Sequence, residues 1–195
     1  MLLIAYIVAA AAAVACNLWL PGAFWPYAVL KPLTTLLVIA QAWRRGQPGE
    51  ARRSALLAGL GLSLLGDVAL LWPQQGFLPG LRAFLLAHLA YLRAFTRGVR
   101  LAAWSPAFVG YAALTAALLS VLWPGVPAPL RVPVAAYVLC LAAMAAQTAC
   151  WWRARRGGAD GQLALGAALG GLLFLTSDAL LATHRFHTPL PWGAL

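Results

Sequence analysis

Acidic residues are almost missing from this chain. Its 195 residues hold four Asp and Glu against fourteen Lys and Arg, and charged residues of both signs make up only 9%. A soluble domain usually carries about a quarter charged residues, so a soluble globular enzyme, a disordered tail and a DNA-binding module are excluded. The net charge of +10 does not point to nucleic acid, and no nucleic-acid partner is expected. Acids are scarce here rather than bases abundant, and the arginines stand between apolar runs. Cysteine is scarce too. Cys16, Cys140 and Cys150 are odd in number, lie in apolar stretches and lack the spacing of a disulfide framework or zinc site. They read as packing residues. The beginning of the chain lacks the basic segment of a signal peptide, and its apolar run is long enough to span a bilayer, so a retained first helix is expected.

Apolar residues are what the chain has, at 63% and a mean hydropathy of +0.82. A membrane span needs about 20 of them in succession. Polar punctuation cuts the sequence into seven runs, near 2–20, 24–43, 54–72, 81–96, 104–123, 132–152 and 162–182. The expected fold class is therefore all-α, a polytopic transmembrane helix bundle of seven spans forming a single domain over 1–195. The fourth run is short and carries Arg82 and Arg93 near its ends. All nine tryptophans fall at or just beyond the end of a run, as interfacial aromatics do. The loops after runs two, four and six hold Arg44, Arg45, Arg52 and Arg53, then Arg97 and Arg100, then Arg153, Arg155 and Arg156. The alternate loops, 21–23, 73–80 and 124–131, are rich in Pro and Gly and nearly uncharged. The positive-inside rule puts the arginine loops and the N-terminus in the cytoplasm, and 183–195 on the far side.

Two of the four acids, Glu50 and Asp160, sit in arginine loops and read as solvated. Asp67 and Asp178 sit inside spans three and seven. A carboxylate at a helix centre costs about 2.5–3.5 kcal/mol on the insertion scale, which makes an intramembrane acid a functional hypothesis by default. Asp67 lies 13 positions past Ser54 and Asp178 16 past Gln162, so at about 1.5 Å per residue both reach a similar level in the outer half. Small residues at i−4 spacing, Gly59 and Ser63 before Asp67, and Gly166 and Gly170 with Phe174 before Asp178, predict faces that neighbouring helices approach closely. Lys31 in span two and His88 in span four are expected at the same level, with Tyr91 a turn deeper. Asn17 and Tyr137 are further candidates. Pro32 removes a backbone N–H inside a helix, which suits a polar cavity beside Lys31. Thr34 and Thr35 either line that cavity or bond back to their own helix. Arg185, with His184 and His187 after span seven, either binds a phosphate headgroup or anchors the helix end.

Two neighbouring buried carboxyls do not both ionise readily, which leaves a protonated acid beside an ionised base, the pairing needed for general acid/base catalysis. The outer-half location suggests a lipid substrate. No nucleophile elbow and no HExxH helix is present. A metal held by Asp67, His88, Asp178 and His184 would want more histidines at one depth, so no metal is expected.

Four segments carry a resemblance: Lys31-Pro32-Leu33-Thr34-Thr35, Leu65-Gly66-Asp67-Val68-Ala69-Leu70, the Phe84, His88, Tyr91 run, and Ser177-Asp178-Ala179-Leu180-Leu181-Ala182 with Phe186. In order and spacing they resemble the bacterial YhhN and vertebrate TMEM86 family of integral membrane lysoplasmalogenases. The resemblance implies a membrane-embedded ether hydrolase that cleaves the vinyl ether bond of lysoplasmalogens to a fatty aldehyde and a glycerophospho-amine. It implies no cofactor, a lysophospholipid substrate, membrane lipids as surroundings and a place in a bacterial inner membrane. It also implies an eighth span following 189–191. Asp67 and Asp178 are the expected catalytic pair, one protonating the alkene carbon and the other stabilising the cation and activating water. Lys31, Thr35, His88, Tyr91, Tyr137 and Arg185 are the expected supporting or substrate-binding residues. The rival class is a proton-coupled transporter or channel built on the same Asp, His and Lys groups. It would need polar residues at several depths, whereas the charged ones gather at one.

Overall fold

A computed structural model of the protein describes residues 24–45, 51–72 and 74–188. Among these the structure is helical and contains no strand. The helices are α1 (Phe24–Arg45), α2 (Ala51–Ala69), α3 (Phe77–Phe95), α4 (Ser105–Leu122), α5 (Arg131–Arg155) and α6 (Gly161–Phe186). They correspond to runs two to seven. Run one, with Cys16 and Asn17, lies outside the described residues, as does Glu50.

Helix ends follow local chemistry. The helix over the fourth run is longer than the apolar run itself: α3 starts at Phe77 and has 19 residues, about 28 Å of helix. Pro79 sits in its first turn, where a missing N–H costs nothing because those donors have no intrahelical acceptor. Pro124, Pro127 and Pro129 stop α4 and break the connection to α5 into two single 3₁₀ turns, Trp123–Gly125 and Ala128–Leu130. Three segments, Ser105–Gly125, Ala128–Arg155 and Gly161–Phe186, are long and apolar enough to cross a membrane, each with a mean hydropathy of 1.7. The protein is an integral membrane protein.

The chain divides into two compact units, 1–90 with 194–195, and 91–193. In the first, α1 and α2 pack along each other, and α2 buries the small residues Gly59, Ser63 and Gly66. In the second, α5 packs on both α4 and α6. Its outer surface is apolar: Val109, Val132, Leu163 and Leu173 are exposed, while Thr115, Gln147 and Thr148 are buried. That distribution suits lipid, where helix association depends on close packing and interhelical hydrogen bonds rather than on hiding leucine.

The contact face of α6 differs from the expected one. Ala164, Gly171 and Leu175 are its buried residues, and a Cβ on Gly171 would stand 3.2 Å from Ala145 Cα of α5. Gly166 and Gly170 have open space around them. The reason is helical phase. Each i+4 step turns about 40° around the axis, so Gly166 lies about 120° from Asp178, whereas Ala164, fourteen positions away, is about 40° off.

Candidate active site

In the first unit, Lys31 and Thr35 are four residues apart on α1 and so share one face. Both reach Asp67 of α2. Thr35 Oγ1 donates a 2.7 Å hydrogen bond to Oδ2, and Lys31 Nζ lies 4.0 Å from Oδ1, with the two side chains only 23% and 18% exposed. Lys31 is thus turned to the carboxylate rather than serving only as an interfacial anchor. The two threonines divide the alternatives open to them. Thr34 Oγ1 donates back to the Lys31 carbonyl at 2.6 Å, while Thr35 crosses to the next helix. Pro32, inside α1, removes the N–H that would otherwise meet the Ala28 carbonyl.

His88 is fully buried on α3. Its ring centroid is 6.5 Å from that of Phe84, at an interplanar angle of 35°. Phe84 in turn presses on α2 at Gly66, where an added Cβ would lie 2.5 Å from Phe84 Cε2. One aromatic ring therefore connects the backbone next to Asp67 with the buried histidine. Tyr91, almost a turn further along α3, is half-buried.

In the second unit, the buried Tyr137 of α5 donates its hydroxyl to Oδ2 of Asp178 on α6. Arg185, seven residues beyond Asp178, is exposed, with its guanidinium 6.0 Å from the centroid of the Phe186 ring. Asp160 is not merely solvated: it accepts a 2.9 Å hydrogen bond from Arg155 Nη1. Among the described residues no group of three or more His, Cys, Asp or Glu side chains gathers in the manner of a metal site.

The structure therefore joins Asp67 with Lys31 and Thr35, and Asp178 with Tyr137. Each of the two carboxylates accepts a hydrogen bond from a neutral hydroxyl on a neighbouring helix, an arrangement in which a carboxylate is held in place while able to take or give a proton. Tyr137 is among the expected supporting residues, but its partner is not legible locally: that partner lies 41 positions away. Gly66 was read within a motif and not as the seat of Phe84. Its position immediately before an acid in an apolar run is the one signal that could have drawn notice to it.

The model of the YhhN family matches residues 27–195, a range that holds both carboxylate clusters. Human lysoplasmalogenase TMEM86B is 33% identical over 189 residues, covering 91% of this chain and 72% of that one. The lysoplasmalogenase TMEM86B of Sus scrofa is 36% identical over 188 residues, with the same shares covered. Membrane protein YhhN of Escherichia coli O157:H7 is 37% identical over 102 residues, 52% of this chain and 49% of that protein. No solved structure matches. With a family model spanning all six described helices but for the first residues of α1, and relatives aligned over nine-tenths of its length, the chain belongs to the YhhN family.

Proposed function

We propose that this protein is a membrane hydrolase of lysoplasmalogens, cleaving the vinyl ether bond to a fatty aldehyde and a glycerophospho-amine. The observation that carries the reading is the Thr35–Asp67–Lys31 arrangement, an intramembrane carboxylate held between a hydroxyl and an ammonium group. Relatives aligned over nine-tenths of this chain that bear the name lysoplasmalogenase support it, and they favour hydrolysis over proton-coupled transport.

The chemistry needs two carboxyl roles. One carboxylic acid transfers its proton to the β-carbon of the C=C bond, and the electron pair of that bond forms the new C–H bond. The resulting oxocarbenium ion is stabilised by a nearby carboxylate, which also takes a proton from the attacking water. Water adds at the α-carbon to give a hemiacetal, which collapses to the aldehyde and the glycerol hydroxyl. The demand is like that of glycosidases, which also pass through an oxocarbenium-like state between two carboxyls. The two roles fall to Asp67 and Asp178. Lys31, Thr35 and Tyr137 hold the carboxylates, His88 and Tyr91 orient them or the substrate, and Arg185 meets the headgroup phosphate. The finer topology belongs to the same proposal: seven spans in a bacterial inner membrane, with the N-terminus and the arginine loops cytoplasmic.

The test is aldehyde release from a lysoplasmalogen by purified protein in nanodiscs, with Asp67→Asn and Asp178→Asn alongside. Turnover in the parent chain and its loss in both folded variants is the expected result. Turnover that survives both substitutions sinks the carboxyl mechanism, and a folded parent without turnover sinks the substrate.

A further inference from the structure

Two arginine-bearing loops that are some fifty residues apart in sequence are held together at one end of the second unit. The loop after α3 contributes Arg97 and Arg100; the end of α5 and the loop after it contribute Arg153, Arg155 and Arg156. Their closeness is fixed by more than one contact. Gln147 of α5 donates through Nε2 to the carbonyls of Phe95, Val99 and Arg100 at 3.1, 3.2 and 3.3 Å, and its Oε1 accepts from the Ala102 N–H at 3.2 Å. Arg155 Nη2 lies 3.4 Å from where a Cβ would stand on Gly98. Beneath the loops Val99, Ala107, Cys150, Trp151 and Ala164 form a packed cluster, so the arginines rise from a rigid base.

The charge there is one-sided. Five guanidinium groups face one carboxylate, Asp160, which pairs with Arg155 at 2.9 Å. Arg97, Arg100, Arg153 and Arg156 are exposed. The arginines also lie over tryptophans near helix ends, Trp104 at the start of α4 and Trp151 in the packed base. Arg153 lies over the Trp104 ring at 5.0 Å and Arg155 over the Trp151 ring at 5.5 Å. Tryptophan at the ends of membrane-spanning helices marks the level of the lipid headgroups, so these guanidinium groups stand where lipid phosphates are.

We infer that this end of the molecule binds the phosphate of an anionic phospholipid, with Arg97, Arg100 and Arg156 as the phosphate-facing groups and Asp160 as a weakening counter-charge. Guanidinium is suited to this role because its fork donates two parallel hydrogen bonds to one phosphate. The headgroup level and the tryptophan pairing favour a lipid over a soluble acidic protein, whose docking would need no such depth. The site shares no residue with the carboxylate clusters, and nothing in it depends on the reaction proposed above.

The experiment titrates the purified full chain, in a zwitterionic detergent, with dioctanoyl-phosphatidylglycerol and follows the thermal unfolding midpoint. The expected result is a saturable rise that dioctanoyl-phosphatidylcholine does not give. Each arginine near a membrane surface strengthens attraction to anionic lipid about fivefold, so R97Q/R100Q/R156Q is expected to weaken the apparent affinity by about a hundredfold. Asp160→Asn is expected to tighten it by about fivefold, and this gain cannot come from misfolding. Asp160 makes no side-chain cap on α6, so the substitution removes no capping bond. Unchanged affinity in the triple variant with no gain in Asp160→Asn overturns the proposal, as does an equal rise with phosphatidylcholine. A rise with inorganic phosphate at the same affinity, or with a glutamate-rich peptide and not with the lipid, overturns the lipid as the occupant.

Discussion

Thr35 and Asp67, on successive helices, are joined by a 2.7 Å hydrogen bond, and the carboxylate's other oxygen faces the lysine one turn away on the same helix as the threonine. A hydrogen bond to a charged group is worth about 1.5–3 kcal/mol, and its geometric role is to fix which way the carboxylate points. Thr35→Val keeps the shape and removes the donor. It is expected to lower the rate of aldehyde release about tenfold or more, while Thr35→Ser retains most of it. Rates for the two variants, normalised to folded protein, check this. An undiminished rate in Thr35→Val would mean that the hydroxyl does not matter at this position.

Tyr137 stands to Asp178 as Thr35 does to Asp67, but it is buried. Tyr137→Phe removes the hydroxyl from a closed site and is expected to cost about 1–3 kcal/mol of stability. Coupling is the sharper readout. Residues in one hydrogen bond show interaction energies of about 0.5–3 kcal/mol in a double-mutant cycle. Thermal unfolding of Tyr137→Phe, Asp178→Asn and the double variant is expected to show the double losing clearly less than the sum. Simple additivity would mean that the hydroxyl and the carboxylate act independently.

The helices were legible because six of the seven apolar runs are followed at once by proline or arginine, and those signals are local. The importance of Asp67 and Asp178 was legible because a carboxylate in an apolar run is costly wherever it ends up. What the sequence could not disclose was partnership. Lys31, Thr34 and Thr35 were all candidates, and only the packing of α1 on α2 decides that Thr35 crosses and Thr34 bonds back. Tyr137 was a candidate with no partner assigned, and the packing of α5 on α6 supplies Asp178. The contact face of α6 was misplaced because equal i+4 steps were followed along a helix whose faces drift by about 40° at each step. Gln147, which nothing local in the sequence marks out, is fully buried.

Gly66 is the point of closest approach between α2 and the ring of Phe84. Gly66→Ala puts a methyl carbon 2.5 Å from Phe84 Cε2, so the ring must move, and with it the packing of His88. Overpacking of this kind costs about 1–3 kcal/mol. A lower unfolding midpoint is expected for Gly66→Ala, with partial recovery when Phe84→Leu is added, because the smaller side chain vacates the clash. A Gly66→Ala protein as stable as the parent would mean that Phe84 has room to turn aside.

Gln147 makes a prediction that does not depend on any activity. Helix α3 ends at Phe95, and the last carbonyls of a helix have no partner within it. Between there and Ala102 the chain turns through positive φ twice, at Gly98 (81°) and at Ala102 (56°), and the second is unfavourable for a residue with a Cβ by about 1–2 kcal/mol. The Gln147 amide gives its N–H groups to three carbonyls of this turn and takes the N–H of Ala102. No other side chain of its size offers both. Gln147→Leu is expected to destabilise the protein by about 2 kcal/mol or more, since buried polar groups left unmatched cost about 1–3 kcal/mol each, and to speed hydrogen exchange at the Ala102 amide. Gln147→Glu is expected to be worse than Gln147→Leu, because an ionised carboxylate has no proton for the three carbonyls and sets a negative charge against them. If Gln147→Leu proves as stable as the parent, the contacts of the amide to the three carbonyls and to the Ala102 N–H contribute nothing to the turn.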